Sequence, residues 1–180
     1  MTKFAIDPVR SRVAIDARSS LHPIHSETAG LEGWFEADLL GGGRVNPAGP
    51  ARGELELPVE KLSSGNPLYD REMRRRIDAR RYPSIAGRLT LMKEGAGDHT
   101  YTVGGDIDFR GVTRSYEDEM TLVVLDDDTV QLEGERTFDI RDFGMEPPKI
   151  LTLKVYPDVT VRVDIVATDG NVATDGNRRG

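Results

Sequence analysis

Apolar and polar side chains alternate with period two along most of the chain. Val13, Ile15 and Ala17 face one way. Leu31, Gly33, Phe35, Ala37 and Leu39 do the same, with Glu32, Glu36 and Asp38 opposite. Ala51, Gly53, Leu55 and Leu57 alternate with Arg52, Glu54 and Glu56, and Ile85, Gly87, Leu89 and Leu91 continue the pattern. It recurs at Tyr101–Phe109, Tyr116–Leu125, Val130–Ile140 and Val159–Ala167. Turn clusters separate these runs: Gly41-Gly42-Gly43, Asn46 to Pro50, Glu94 to Asp98, Asp126 to Asp128, and Gly144 to Pro148. About eight strands at short intervals, each with one apolar face, predict a β-sandwich or an up-and-down barrel.

Gly33, Gly53, Gly87, Gly105 and Gly134 all fall on the apolar parity of their strands. Glycine inside a strand marks a bend, or a place where a ligand or another backbone comes close. Curvature and cavity-making are both open, and both favour a closed sheet. An eight-stranded barrel is just wide enough to be filled by side chains or to hold one small ligand. Five missing inner side chains tilt that balance towards the ligand.

One segment breaks the alternation. From Asn66, a good N-cap, and Pro67, placed where no amide proton is needed, Leu68, Tyr69, Met73, Arg76 and Ile77 recur at helical spacing. Pro83 ends the helix. Arg71, Arg74, Arg75, Arg76, Arg80 and Arg81 alternate with Asp70, Glu72 and Asp78, as expected of a solvated, ion-paired face. Some of these arginines could instead rim a pocket and hold a polar or anionic head group. A single helical insertion in an all-β chain predicts a lid or plug.

At 180 residues the chain is long enough for one domain that buries roughly 70% of its unfolded surface. The net charge of −7 argues against nucleic acid as a partner, since phosphate binding relies on a basic footprint. The absence of cysteine excludes disulfides, thiolate metal sites and cysteine nucleophiles. The N-terminus lacks a secretory h-region and no apolar run is long enough for a membrane span, so a cytoplasmic protein is expected. The domain is expected over residues 1–167, followed by a disordered tail over 168–180 that contains ATDGN twice.

Local chemistry is sparse. His22 and His25 are three apart with a proline between them, which does not fit a helical zinc pair. Ser19-Ser20 near His22 has no strand–turn–helix elbow to present a nucleophile. Glu54 and Glu56, Glu117 and Glu119, and Glu133 and Glu135 lie on solvated strand faces, where nothing drives two carboxyl pKa values apart. The glycine triplet lacks the lysine and helix of a phosphate cradle. No metal or cofactor is called for. Arg136 stands out because it falls on the apolar parity of its strand, so it must be paired with an acid or face a ligand.

Three stretches resemble the YceI-like family, the lipocalin-like polyisoprenoid-binding proteins. They are FAIDPVRSRVAIDARSS; SGNPLYDREMRRRIDARRYPSI, with Ser64-Gly65-Asn66, Asp70 and Tyr82-Pro83; and GGDIDFRGVTRSYE followed by TFDIRDFGM, with Gly105, Gly111, Val112, Thr113, Arg141, Asp142, Phe143 and Gly144. The match covers nearly the whole chain up to Ala167. Arg10-Ser11 and Tyr69 depart from the family pattern, and many members carry a secretion signal. The resemblance implies an all-β, eight-stranded antiparallel lipocalin-like barrel with a short helical insertion, whose elongated pocket takes an isoprenoid or similar amphiphilic tail without catalytic machinery.

The sequence therefore predicts a non-enzymatic carrier of an isoprenoid or other amphiphilic lipid, with a homodimer compatible with it. The expected lining is Phe35, Leu55, Leu57, Leu89, Val103, Ile107, Met120, Leu122 and Phe138. Leu68, Tyr69 and Met73 are expected to cover one mouth, with Tyr82 and Arg136 at polar positions. The alternative is a packed barrel acting as a stress-associated module that docks a protein through the arginine-rich helix. A third reading makes the barrel a reaction chamber and requires Arg136, Tyr82 or His22 to converge on its floor.

Overall fold

The alternating runs become strands of a closed antiparallel barrel in the computed structural model, which describes residues 1–41 and 43–170. In chain order the strands are β1 (Thr2–Ile6), β2 (Arg12–Ser19), β3 (Ile24–Thr28), β4 (Glu32–Ala37), β5 (Leu39–Leu40), β6 (Arg44–Val45) and β7 (Arg52–Pro58). One helix, α1 (Pro67–Ile77), intervenes. Then come β8 (Ser84–Glu94), β9 (Thr100–Phe109), β10 (Val112–Val124), β11 (Thr129–Asp139), β12 (Lys149–Ile150) and β13 (Leu153–Asp169). The barrel runs β1-β4-β7-β8-β9-β10-β11-β13 and closes through β1 on β13, which makes eight staves.

Two staves are interrupted. β1 and β2 lie end to end on the same edge of β13, Ile6 opposite Ala167 and Arg12 opposite Asp164. The excursion between them gives the Val166 carbonyl the Asp7 amide at 2.8 Å but leaves the Val166 N–H without a backbone partner on that side. The side chain of Ser11, wholly buried, fills the gap: it accepts from the Val166 N–H at 3.0 Å and donates a second bond to the Val166 carbonyl at 3.2 Å. β3 and β4 form the second broken stave, pairing with β2 and β1 respectively. Among the described residues β3 has no strand on its other edge. There Ser26 and Thr28 donate to the carbonyls of Ser63 and Lys61 in the loop before α1, so the loop completes the wall.

Alternation holds through most strands, with one flip. Leu89 lies opposite Gly105 and Leu91 opposite Gly104, so Thr90 is an extra residue in β8. This bulge turns Met92 into the core in place of Leu91, which was expected to share the face of Leu89. Of the five inward glycines, Gly33 shows a backbone reason: at φ +142 a Cβ would lie 2.0 Å from the Glu54 carbonyl oxygen.

The wall also has a seam. β10 pairs with β9 from Val112 to Thr121, and β11 pairs with β13 from Thr129 to Asp139. The ladder between β10 and β11, however, runs only from Val124 opposite Val130 to Thr121 opposite Glu133. Below that point side chains bridge the two strands, Met120 lying over Gly134 and Tyr116 meeting Phe138 edge-on at 5.1 Å.

α1 forms as its sequence dictates. The Asn66 side chain accepts from the amides of Leu68 and Tyr69, Pro67 is the first helical residue, and Asp78 closes the helix in a left-handed conformation. β13 continues to Asp169, so Thr168 and Asp169 belong to the barrel rather than to the expected tail; they pair with Ala5 and Phe4. The remainder of that expectation, residues 171–180, lies outside the described residues. Among those described, no helix is long and apolar enough to cross a membrane.

Candidate functional site

The barrel is hollow. Its interior holds a cavity of about 470 Å³, within the roughly 300–1,000 Å³ of small-molecule sites, and its lining is overwhelmingly apolar. One end is sealed: Phe4, Val45, Tyr101, Leu122 and Val130 are buried together and none of them lines the cavity. The Tyr101 hydroxyl accepts from the Val45 amide at 2.9 Å and helps hold that plug. From the plug the cavity runs past Leu132 and Ile165 to Tyr69, Pro148 and Ile150 at the α1 end.

Most of the residues expected to line the interior do so: Phe35, Leu55, Leu57, Leu89, Val103, Ile107, Met120 and Phe138, with Tyr69 and Met73 from the helix. Three lie elsewhere. Leu122 is 0% exposed and belongs to the plug. Leu68 is 44% exposed, because the inward stripe of α1 is Tyr69, Met73 and Ile77. Tyr82 is outside the cavity, its ring against Gly111. Residues not singled out also contribute, notably Val13 and Ile15 of β2 and Phe143, Met145 and Ile150 after β11. Val13 and Ile15 carried the inward alternation. The others come from a stretch with turn chemistry and no period; Phe143 was marked only by the family resemblance, and nothing in the sequence marked Met145 or Ile150.

Arg136 is in the lining and is paired. Its Nη1 lies 2.7 Å from the Asp118 carboxylate, and its guanidinium sits 4.3 Å from the centre of the Tyr116 ring. Nη1 also reaches the Glu117 carbonyl at 3.4 Å, across the seam, while Nε is buried without a partner. Burial, aided by the Asp142 charge, pushes the Tyr116 hydroxyl above its ordinary value. Asp118 was missed, yet it sits on the inward parity with Tyr116 and Met120. One acid on an apolar face, matched to one arginine on another, was the available signal.

The helix is tied down at both sides. Asp70 is buried and accepts from the Ser64 amide at 2.8 Å, the Ser64 hydroxyl at 2.7 Å and the Ser63 hydroxyl at 3.1 Å. Burial raises its pKa, but these hydrogen bonds and the charge of Arg74 outweigh that and leave it below the ordinary carboxylate value. Arg75 and Arg76 both bond Glu72 and hold its carboxyl down at about 2, while Arg74 donates to the carbonyls of Glu60 and Leu62. The two histidines separate: His25 bonds Asp16 at 2.6 Å, and His22 stacks on Tyr69. Among the described residues no cluster suits a metal ion.

Comparisons with known proteins agree with this geometry. A family model described as the YceI-like domain matches residues 4–167. Burkholderia cenocepacia BcnA is 16% identical and superposes with a TM-score of 0.75, covering 91% of this chain and 99% of its own. A polyisoprenoid-binding domain from Saccharophagus degradans, implicated in plant cell wall breakdown, is 12% identical with a TM-score of 0.72, covering 94% and 99%. The Campylobacter jejuni YceI protein is 11% identical with a TM-score of 0.58, covering 76% and 81%. No match is found among curated proteins.

Proposed function

The chain belongs to the YceI-like family, and from that premise we propose that it is a non-enzymatic carrier of a long isoprenoid or similar amphiphilic chain held inside the barrel. The observation that carries this reading is the apolar cavity of about 470 Å³, sealed at one end and reaching α1 at the other. Such a space suits a tail that enters end-on. Each methylene removed from water contributes about 0.8 kcal/mol, so affinity grows with chain length until the plug is reached. The polyisoprenoid-binding domain of Saccharophagus degradans, alike in fold, supports the choice of cargo.

The other readings have less support. A packed module needs a filled barrel, and this one is hollow. Docking through the helix needs free arginines at its centre, whereas Arg74, Arg75 and Arg76 are engaged within the protein. A reaction chamber needs Arg136, Tyr82 or His22 to converge; Arg136 is neutralised by Asp118, Tyr82 packs on Gly111, and His22 is exposed beside Tyr69.

Native mass spectrometry of protein purified without detergent tests the proposal. The expected spectrum contains protein ions heavier by one apolar chain. After delipidation, the fluorescence of N-phenyl-1-naphthylamine should rise on uptake and fall when a prenol is added. Bare protein in the first experiment together with no dye uptake in the second would overturn it.

A further inference from the structure

At the α1 end three leucines point into solvent, two from loops and one from the helix. Leu21 in the β2–β3 turn is 71% exposed, Leu68 on the outer face of α1 is 44% exposed, and Leu151 at the tip of the β12–β13 hairpin is 91% exposed. Contacts beneath them bring these loops together. Ser20 donates its amide to the Lys154 carbonyl at 2.8 Å, joining the β2–β3 turn to the hairpin. His22, next to Leu21, stacks on Tyr69, next to Leu68. Ile150, next to Leu151, packs in one small cluster with Ile24 and Tyr69. The leucines therefore rim one patch, directly over the end of the cavity that Tyr69 and Ile150 line.

Leu151 adds a second sign. It holds φ at +54, a left-handed conformation that is unfavourable for a leucine, and gains no burial from it. The two-residue hairpin turn calls for a positive φ there, which glycine meets without strain, and the leucine side chain adds no burial in return. The charge around the patch is also at odds with the rest of the protein. Lys149 and Lys154 face each other across the hairpin below Leu151, and Arg71 lies one turn from Leu68; none has an ion-pair partner among the described residues. The acids nearest in sequence are Glu146 and, on either side of Arg71, Asp70 and Glu72, which are engaged by Ser63 and Ser64 and by Arg75 and Arg76. At the opposite end the exposed Leu40 and Leu125 lie beside Asp38 and Asp126 to Asp128, and the cation next to the exposed Val9, Arg10, faces Asp126, so acids dominate around the apolar residues there.

We propose that this end docks on the surface of an anionic lipid bilayer, with Leu21, Leu68 and Leu151 entering the headgroup layer and Arg71, Lys149 and Lys154 contacting lipid phosphates. Apolar tips flanked by cations are the residue pattern that holds proteins at a charged interface. The site goes beyond the carrier reading, since it concerns where the barrel sits and not what it contains.

Flotation of the full chain with phosphatidylcholine vesicles, with and without about 30% phosphatidylglycerol, tests it. Protein should float with the anionic vesicles, and the fraction bound should fall as salt screens the lysines. Arg71→Glu with Lys149→Glu and Lys154→Glu should lower partition by roughly tenfold or more, and Leu21→Asp with Leu68→Asp and Leu151→Asp should do likewise. Leu151→Gly serves as the fold-safe variant: it relieves the left-handed residue, so the melting temperature should hold or rise while vesicle binding drops. Equal partition onto neutral and anionic vesicles, or binding indifferent to the leucine changes, would overturn the proposal. So would a vesicle-free dimer in light scattering that these leucine changes dissociate. Because the readout is attachment of protein to vesicles, it is independent of whether an apolar chain is found in the cavity.

Discussion

Replacing Leu122 by alanine and Leu89 by alanine makes the same chemical change at two depths of the barrel, and the two should differ sharply. Leu122 is 0% exposed and sealed in the plug, whereas Leu89 lines the cavity. Each change deletes three carbons, worth about 2.4 kcal/mol at ~0.8 kcal/mol per methylene. At Leu122 the deleted atoms leave a new void in a close-packed region, which brings the expected cost to about 3–5 kcal/mol. At Leu89 one side of the leucine already faces empty space, so fewer contacts are lost and the expected cost is about 1–2 kcal/mol. Urea denaturation of delipidated protein measures both, and the larger change should lower the melting temperature by about 10 °C. Loading the cavity should raise the Leu89 cost, because contacts with the guest are then lost as well, and leave the Leu122 cost unchanged. Equal costs in the empty protein would refute the division into plug and cavity.

Two further outcomes follow from the wall and the lid. Asp70 has a carboxyl pKa below its ordinary value, so its contribution to stability is complete above the unfolded value and is lost as pH falls through the folded one. Asp70→Asn should therefore cost about 1–3 kcal/mol near neutral pH, and the gap from the parent should narrow below roughly pH 4 in thermal melts; a constant gap would contradict the anchoring role. At the seam, every second amide of Val112 to Met120 points away from β9 toward a strand it does not pair with. Hydrogen exchange followed by NMR should find those amides less protected than their neighbours, and uniform protection along β10 would show a continuous ladder instead.

The sequence made the staves legible because burial on one face imposes period two, and it made α1 legible because Asn66, Pro67 and Pro83 act through local backbone chemistry. Parity, however, tells which face a residue takes and not how far along the axis it lies. Leu122 and Met120 share a face, yet one fills the plug and the other lines the cavity. A single inserted residue defeats parity outright, as Thr90 does for Leu91 and Met92. β3 escaped notice because Ile24 is the one apolar residue on its inward side; Ser26 and Thr28 are spent on loop carbonyls. The Arg136–Asp118 pair was half visible, since the arginine broke its strand's pattern while the aspartate was passed over between two solvated glutamates.

On the proposed carrier reading, the sealed end would fix the order in which cargo moves. A chain that slides in until it meets Phe4 and Leu122 must leave in the reverse sense, its outermost group first. The same group is always presented at the α1 end, whatever the length of chain behind it. Loading and delivery then share one doorway, and a donor and an acceptor must take turns there. Under the proposed carrier function, such a barrel would work as a shuttle that docks, backs away and docks again, not as a tunnel bridging two membranes at once.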